Sequence, residues 1–177
     1  MWQYAGCNLV VADSSGAWVL SNRDGAGTTR LPHGFYGLGN ATLDTPWAKM
    51  TRGKSRVLKI IFNMAADPKF GEDDLVDLLM DALADETPCQ PSSKEIVSSI
   101  CVPPTVYVSE LARIVRGWTR WGAESPTNKY ATRTSTVVLL DASGRCKVVE
   151  RNLEKDGDWT AQAMRNAKRE TFAFDLR

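Results

Sequence analysis

The chain has 177 residues, enough for one domain that buries roughly 70% of its extended-chain surface. A hydrophobic content of 43%, a charged content of 24% and a formal net charge of +1 predict a soluble globular protein and exclude a strong global field for nucleic acid. No apolar run approaches the ~20 residues of a bilayer span, and Met1-Trp2-Gln3-Tyr4 has neither the basic nor the apolar region of a secretory signal, so the expected location is the cytoplasm.

Asn8 to Asp13 and Ala17 to Asn22 are apolar, β-branched and aromatic runs separated by Asp13-Ser14-Ser15-Gly16, which reads as a β-hairpin. Thr28 to Gly34 is expected to be loop, because Pro32 cannot donate into a ladder. Phe35 to Leu38 follows as a short third strand. Thr45-Pro46 opens a helix, with Thr45 as the cap and Pro46 at the first helical position, where its missing N–H costs nothing. Trp47, Met50, Val57, Leu58 and Ile61 recur behind it at helical spacing, and Gly53 weakens the middle by ~1 kcal/mol relative to alanine. Glu72-Asp73-Asp74 opens a second helix at the positive end of its dipole, with Leu75, Leu78, Leu79, Ala82 and Leu83 as the buried stripe.

Thr87 to Lys94 reads as loop, and Ile96 to Val102 as a strand stopped by Pro103-Pro104. Thr136 to Asp141 and Cys146 to Glu150 flank Asp141-Ala142-Ser143-Gly144, a second hairpin with the same kind of turn as the first. Asn152 to Lys168 is polar and poorly periodic, and Thr171 to Leu176 alternates as a terminal strand. The predicted class is α+β, one domain over 1–177, with helices segregated to a face of antiparallel sheet.

Cys7, Cys89, Cys101 and Cys146 have no paired short spacing, and the only histidine, His33, is far from any of them. They read as reduced thiols with no metal site, and Cys7, at the mouth of Leu9-Val10-Val11, as a small buried side chain.

Two polar side chains stand where a strand meets a loop, Asn40 after Gly39 and Arg133 within Thr132-Arg133-Thr134-Ser135-Thr136. The Asn40 amide suits donation to a carbonyl or oxyanion, and asparagine equally suits a left-handed turn position. The Arg133 guanidinium suits a bidentate clamp on a carboxylate, phosphate or propionate, or a salt bridge to an acidic loop.

In these stretches the sequence resembles a known family. Asn8-Leu9-Val10-Val11-Ala12-Asp13, Ser21-Asn22-Arg23, Tyr36-Gly37-Leu38-Gly39-Asn40-Ala41, Leu43-Asp44-Thr45-Pro46-Trp47, Gly53-Lys54 and the Thr132 to Thr136 block with Asp141, Gly144 and Glu150-Arg151 are similar to the transport and Golgi organisation protein 2 family, also called the NRDE family. The likeness runs in order from near residue 4 to the C-terminus. The family begins with Met-Cys and carries its naming motif in an N-terminal half, whereas position 2 here is Trp2, so the chain reads as the C-terminal portion of such a domain. Asn22-Arg23-Asp24-Gly25 imitates the naming motif, with Gly25 where it has glutamate. Residues 105–127 read as an insertion, and Ala131 replaces a motif glycine. Within the insertion Leu111, Ile114, Val115 and Trp118 share a helical face beside Arg113, Arg116 and Arg120, the pattern of a peripheral membrane contact or of a core helix.

The resemblance implies a partial N-terminal-nucleophile-hydrolase-like αββα sandwich of antiparallel sheets between helical layers. It implies that Asn40 and Arg133 match an oxyanion-hole asparagine and a site arginine, that Asn8 lines the same cleft, and that Lys54 joins Arg133 as a partner for anionic groups. It implies a role in Golgi organisation and secretory traffic and in handling haem or acyl-CoA, in the cytoplasm at the Golgi or mitochondrion. With the nucleophile cysteine absent, no catalytic residue is assigned and no cofactor beyond those ligands. The alternative is a cysteine N-terminal-nucleophile amidohydrolase acting on C–N bonds. A third reading is an interaction module that self-associates through an exposed sheet face.

Overall fold

The computed structural model describes residues 6–13, 15–23, 27–87, 99–102, 105–106, 129–153 and 167–176. The first hairpin forms as its pattern predicts. Strand β1 (Asn8–Asp13) pairs antiparallel with β2 (Gly16–Ser21), placing Val10 opposite Val19 and Val11 opposite Trp18. Asp13 closes the turn, its Oδ1 accepting from the Ser15 N–H at 2.7 Å, the Ser15 hydroxyl at 2.6 Å and the Gly16 N–H at 3.2 Å.

The third strand differs from expectation. Strand β3 is Gly27–Leu31, which takes in Thr28 to Leu31 of the stretch predicted as loop, and 35–38 is irregular. Thr28 and Thr29 are β-branched and pair with Leu20 and Val19, while Pro32 falls just past the last strand residue, where its missing N–H interrupts nothing. Cys7 is exposed rather than buried. It precedes the first hairpin pair, Asn8 with Ser21, and its N–H is held by Asn22 Oδ1 at 2.6 Å.

Helix α1 runs over Ala48–Ala66 and α2 over Glu72–Leu83. Helix α1 starts later than Thr45-Pro46 predicts. Trp47 is its N-cap residue, with its carbonyl accepting from the Met50 and Thr51 N–H groups at 2.9 and 3.0 Å, and Thr45 instead donates its hydroxyl to the Thr42 carbonyl at 2.7 Å. Gly53 does not interrupt the helix, since one glycine costs less than a broken ladder. Of the expected apolar stripe Trp47, Met50, Val57 and Leu58 are half-buried and Ile61 is exposed, while the buried residue of the helix is Ile60.

Helix α2 keeps Leu79, Ala82 and Leu83 of the predicted stripe and adds Val76 and Met80 to it. Val76 and Met80 form a core with Val137 and Val149, and Leu79, Leu83 and Leu139 pack against it, whereas Leu78 is exposed. The i, i+3, i+4, i+7 spacing of Val76, Leu79, Met80 and Leu83 is the helical signature, with Val76 and Met80 as the members that the predicted stripe misses.

A two-residue ladder joins β4 (Thr105–Val106) to β5 (Lys129–Tyr130), the ends of the expected insertion. The amphipathic pattern from Leu111 to Trp121 lies outside the described residues, as do Cys89 and most of the polar stretch after Asn152. The second sheet has the order β6 (Thr134–Leu140), β7 (Arg145–Asn152), β8 (Arg169–Asp175), all antiparallel. Asp141 repeats the device of Asp13, with Oδ1 accepting from the Ser143 N–H, the Ser143 hydroxyl and the Arg145 N–H at 2.8, 2.6 and 3.0 Å. Gly144 sits at φ 89°, where a side chain would be strained.

Residues 99–102 are not the predicted strand. They form an irregular buried connection, fixed by the Cys101 N–H to the Asp85 carbonyl at 2.9 Å and by Val102 and Thr132, which exchange two bonds at 2.9 Å. Their apolar character reflects burial at 0% exposure for Cys101 and 5% for Val102, not sheet pairing. Two helices and two three-stranded antiparallel sheets among the described residues make an α+β fold. No helix among the described residues is long and apolar enough to cross a membrane.

Candidate functional site

The segment from Tyr36 to Trp47 is irregular backbone, yet it is fixed from three sides. Its two ends are joined by Gly37 and Asp44. The Asp44 N–H donates to the Gly37 carbonyl at 2.8 Å, and the Gly37 N–H donates to Asp44 Oδ1 at 2.8 Å. Lys54, one helix turn and more into α1, donates to the same Oδ1 at 2.9 Å. Asp44 is the left-handed position of this loop, at φ 56°, so the turn conformation allowed for Asn40 falls four residues later. The hydrogen bond from Lys54, and then that from Gly37, hold the Asp44 carboxyl below its ordinary range.

Asn8 fixes the loop from the sheet side. Its Nδ2 donates to the carbonyls of Gly39 and Ala41 at 2.7 and 2.8 Å, and its Oδ1 accepts from the Ser21 hydroxyl at 2.6 Å. Both amide hydrogens are thus used on the residues either side of Asn40. Asn8 does not offer its amide to a cleft; it positions the backbone that carries Asn40, whose side chain is exposed. Gly37 is buried, and a Cβ there would lie 2.9 Å from Met50 Cε, so glycine permits the close approach of loop and helix.

A cavity of about 370 Å³ opens beside this loop, between Asp44, Pro46, Met50, Lys54 and Leu58. Lys54 is therefore at a hollow, but its ammonium is already engaged by Asp44. The fourth expected residue, Arg133, stands on a different element, immediately before β6, with an exposed side chain and its carbonyl accepting the Leu153 N–H at 2.8 Å. The structure gathers Asn8, Asn40 and Lys54 around one loop and sets Arg133 at the entrance of the second sheet. Geometrically, the loop can offer an exposed amide on a fixed backbone, and the sheet entrance a guanidinium.

Two further polar sites were not singled out from the sequence. Asp85, with a side chain 6% exposed, receives Arg56 Nη1 at 2.5 Å and Arg52 Nε at 3.3 Å from α1. Burial alone pushes the Asp85 carboxyl up, but the Thr87 hydroxyl and N–H and the two guanidiniums outweigh it and hold it below the ordinary value. The i, i+4 spacing of Arg52 and Arg56 was the available signal; their acidic partner lies too far along the chain to be read. The second site is a cavity of about 880 Å³ where Arg30, Leu31, His33 and Tyr36 approach Leu140 of β6. His33 is exposed there.

The thiols divide by burial. Cys101 and Cys146 are buried, and burial pushes the Cys101 thiol up to about 11, the opposite of nucleophile activation. Cys7 is solvent-accessible. Among the described residues no group of three or more histidine, cysteine or carboxylate side chains is placed to hold a metal ion.

The sequence matches a family model described as Transport and Golgi organisation 2 over residues 2–155. It is 34% identical over 160 residues to the Transport and Golgi organization protein 2 homolog of Homo sapiens, covering 86% of this chain and 53% of that protein. It is 35% identical over 162 residues to the Transport and Golgi organization 2 homolog of Mus musculus, covering 86% and 53%. The Bos taurus homolog is 33% identical over 156 residues, covering 85% and 51%. The chain spans about half the length of the curated relatives it matches.

Proposed function

The chain belongs to the Transport and Golgi organisation 2 family, and from that premise we propose that it acts in Golgi organisation and secretory traffic by binding a metabolite with an apolar body and an anionic group, such as haem or acyl-CoA, without turning it over. The observation that carries this reading is the fixed loop around Asn40. Asn8, Asp44 and Lys54 hold its backbone before any ligand arrives, so an exposed amide is presented at little ordering cost. Arg133 supplies the cationic contact for the ligand's carboxylate, phosphate or propionate. Lys54 contributes indirectly, by holding Asp44.

The absence of turnover is supported by the state of the thiols. Cys101 and Cys146 are buried, and the Cys101 thiol is protonated at neutral pH. On the N-terminal-nucleophile-hydrolase-like reading of the fold, the loop amide and the arginine, which stand on different elements, are the groups that would meet a ligand's carbonyl or carboxylate, and neither of the two buried thiols is placed to attack it. A haem titration of the 177-residue chain tests the ligand role. Arg133→Ala is expected to weaken binding about tenfold, the loss of a charge-assisted contact, and an unchanged affinity contradicts it.

One observation favours a second reading, the exposure of Cys7 beside Asn8. An amidohydrolase using Cys7 would release product from acyl-amino acids and lose that turnover on Cys7→Ala. Turnover that survives the substitution, or none in either protein, removes this alternative.

A further inference from the structure

The ladder between β1 and β2 ends at the pair Asn8 and Ser21, but the attachment continues past it through side chains. Ser21, Asn22 and Arg23 follow one another out of β2, and each bonds one of the three residues that lead into β1. The Ser21 hydroxyl donates to Asn8 Oδ1 at 2.6 Å, the Cys7 N–H donates to Asn22 Oδ1 at 2.6 Å, and Arg23 Nη2 donates to the Gly6 carbonyl at 2.9 Å. One backbone bond, from the Asn22 N–H to the Cys7 carbonyl at 3.3 Å, runs beside them. A Cβ on Gly6 would lie 2.6 Å from Arg23 Cζ, so glycine leaves the room that the guanidinium takes.

The consequence falls on the orientation of Asn8. A side-chain amide accepts at one end and donates at the other. The Ser21 hydroxyl gives its hydrogen to Asn8 Oδ1, while its oxygen accepts the Arg23 N–H at 3.2 Å. With Oδ1 tied to β2, Nδ2 is turned toward the loop, where it meets the Gly39 and Ala41 carbonyls. An unbroken run of hydrogen bonds therefore leads from the Arg23 N–H through Ser21 and Asn8 to the backbone on both sides of Asn40. Asn8 and Ser21 are half-buried, where water competes poorly for such bonds. Asp44 and Lys54 close the ends of the loop, whereas its middle is held from β1.

We propose that Ser21, with Asn22 and Arg23 fixing the chain beside it, is a positioning residue for ligand capture by Asn40. This role rests on Asn40 meeting the ligand, as the proposed function has it. With the clamp closed the backbone under Asn40 is ordered before contact. With it open, that ordering is completed only on binding and affinity falls. None of the three residues has to touch the ligand.

Nitrogen-15 relaxation of the ligand-free 177-residue chain tests the clamp, and haem titration tests its purpose. In the parent the Gly39, Asn40 and Ala41 amides should be rigid, with order parameters of about 0.85, and in Ser21→Ala they should fall toward about 0.6. Ser21→Thr keeps the hydroxyl and should retain the parent values. The Val76 and Met80 amides in the α2 core should not respond in either variant, which separates release of the loop from general loosening of the fold. Haem affinity should weaken about three- to tenfold in Ser21→Ala and stay at the parent value in Ser21→Thr. A loop middle that stays rigid in Ser21→Ala, one already mobile in the parent, or a response shared by Val76 and Met80 would overturn the assignment. So would affinity that falls with Asn40→Ala but not with Ser21→Ala. Affinity indifferent to both, with the loop loosened by Ser21→Ala, would refute ligand capture by Asn40 and this role with it, while leaving the clamp itself in place.

Discussion

Asn8 and Asn40 are both amides at the same loop, yet their replacement should have opposite consequences. Asn8→Ala leaves the Gly39 and Ala41 carbonyls without their donor in a half-buried setting and should lower stability by about 1–3 kcal/mol, read as a lower urea midpoint. Asn40→Ala removes an exposed side chain and should stay within about 0.5 kcal/mol of the parent, while weakening ligand binding. The reverse ranking would mean that the loop is not held from β1. Asp85 gives a pH signature with a definite sign. Its carboxyl is depressed in the folded protein, so its contribution is complete above the ordinary value of 3.8 and disappears as pH falls through the lower folded value. Asp85→Ala should cost about 1–2 kcal/mol at neutral pH, by removing the carboxylate that Arg52, Arg56 and Thr87 share, and should flatten the stability profile below pH 5. A variant as stable as the parent at neutral pH, with an unchanged acid profile, would contradict that role.

At the level of elements, the two hairpins were legible because each sits between alternating runs and closes on the same Asp-x-Ser-Gly device. Helix existence was legible from apolar period, and Leu79, Ala82 and Leu83 of the α2 stripe were read correctly, but the rest of its buried face was not. Leucine counting favours Leu75 and Leu78, whereas packing on Val137 and Val149 selects Val76 and Met80, information held by a sheet some sixty residues away. The same cause hid β3, whose partner β2 accepts two threonines despite the nearby proline, and misassigned 99–102, where burial without a ladder imitates a strand. In the loop, Asn40 and Lys54 were visible as candidates, but Asn8 as an anchor and Asp44 as the left-handed hub depend on contacts that spacing does not encode. Gly53 offers a clean test at this scale. A Cβ there meets only Ile100 Cδ1, at 3.7 Å, so Gly53→Ala should raise stability by about 0.5–1 kcal/mol. A loss on thermal or urea unfolding would show that the helix needs glycine for its packing. Met80→Ala, at a fully buried position, should instead cost about 2–5 kcal/mol.

For the whole molecule, one core joins α2 to the second sheet, while the first sheet leaves Leu9, Val10 and Val11 exposed on an edge strand without a charge between Asn8 and Asp13. That distribution leaves an apolar edge open to contact with other molecules. The proposed function, binding of an anionic, apolar metabolite without turnover, rests on family membership, an exposed amide on a pre-fixed loop and a guanidinium at a strand entrance. Haem titration of the parent, Asn40→Ala and Arg133→Ala proteins, with recovered ligand checked for chemical integrity, addresses that claim most directly. Weaker binding in both variants, with intact ligand throughout, is the predicted result; equal affinity in all three proteins would contradict it.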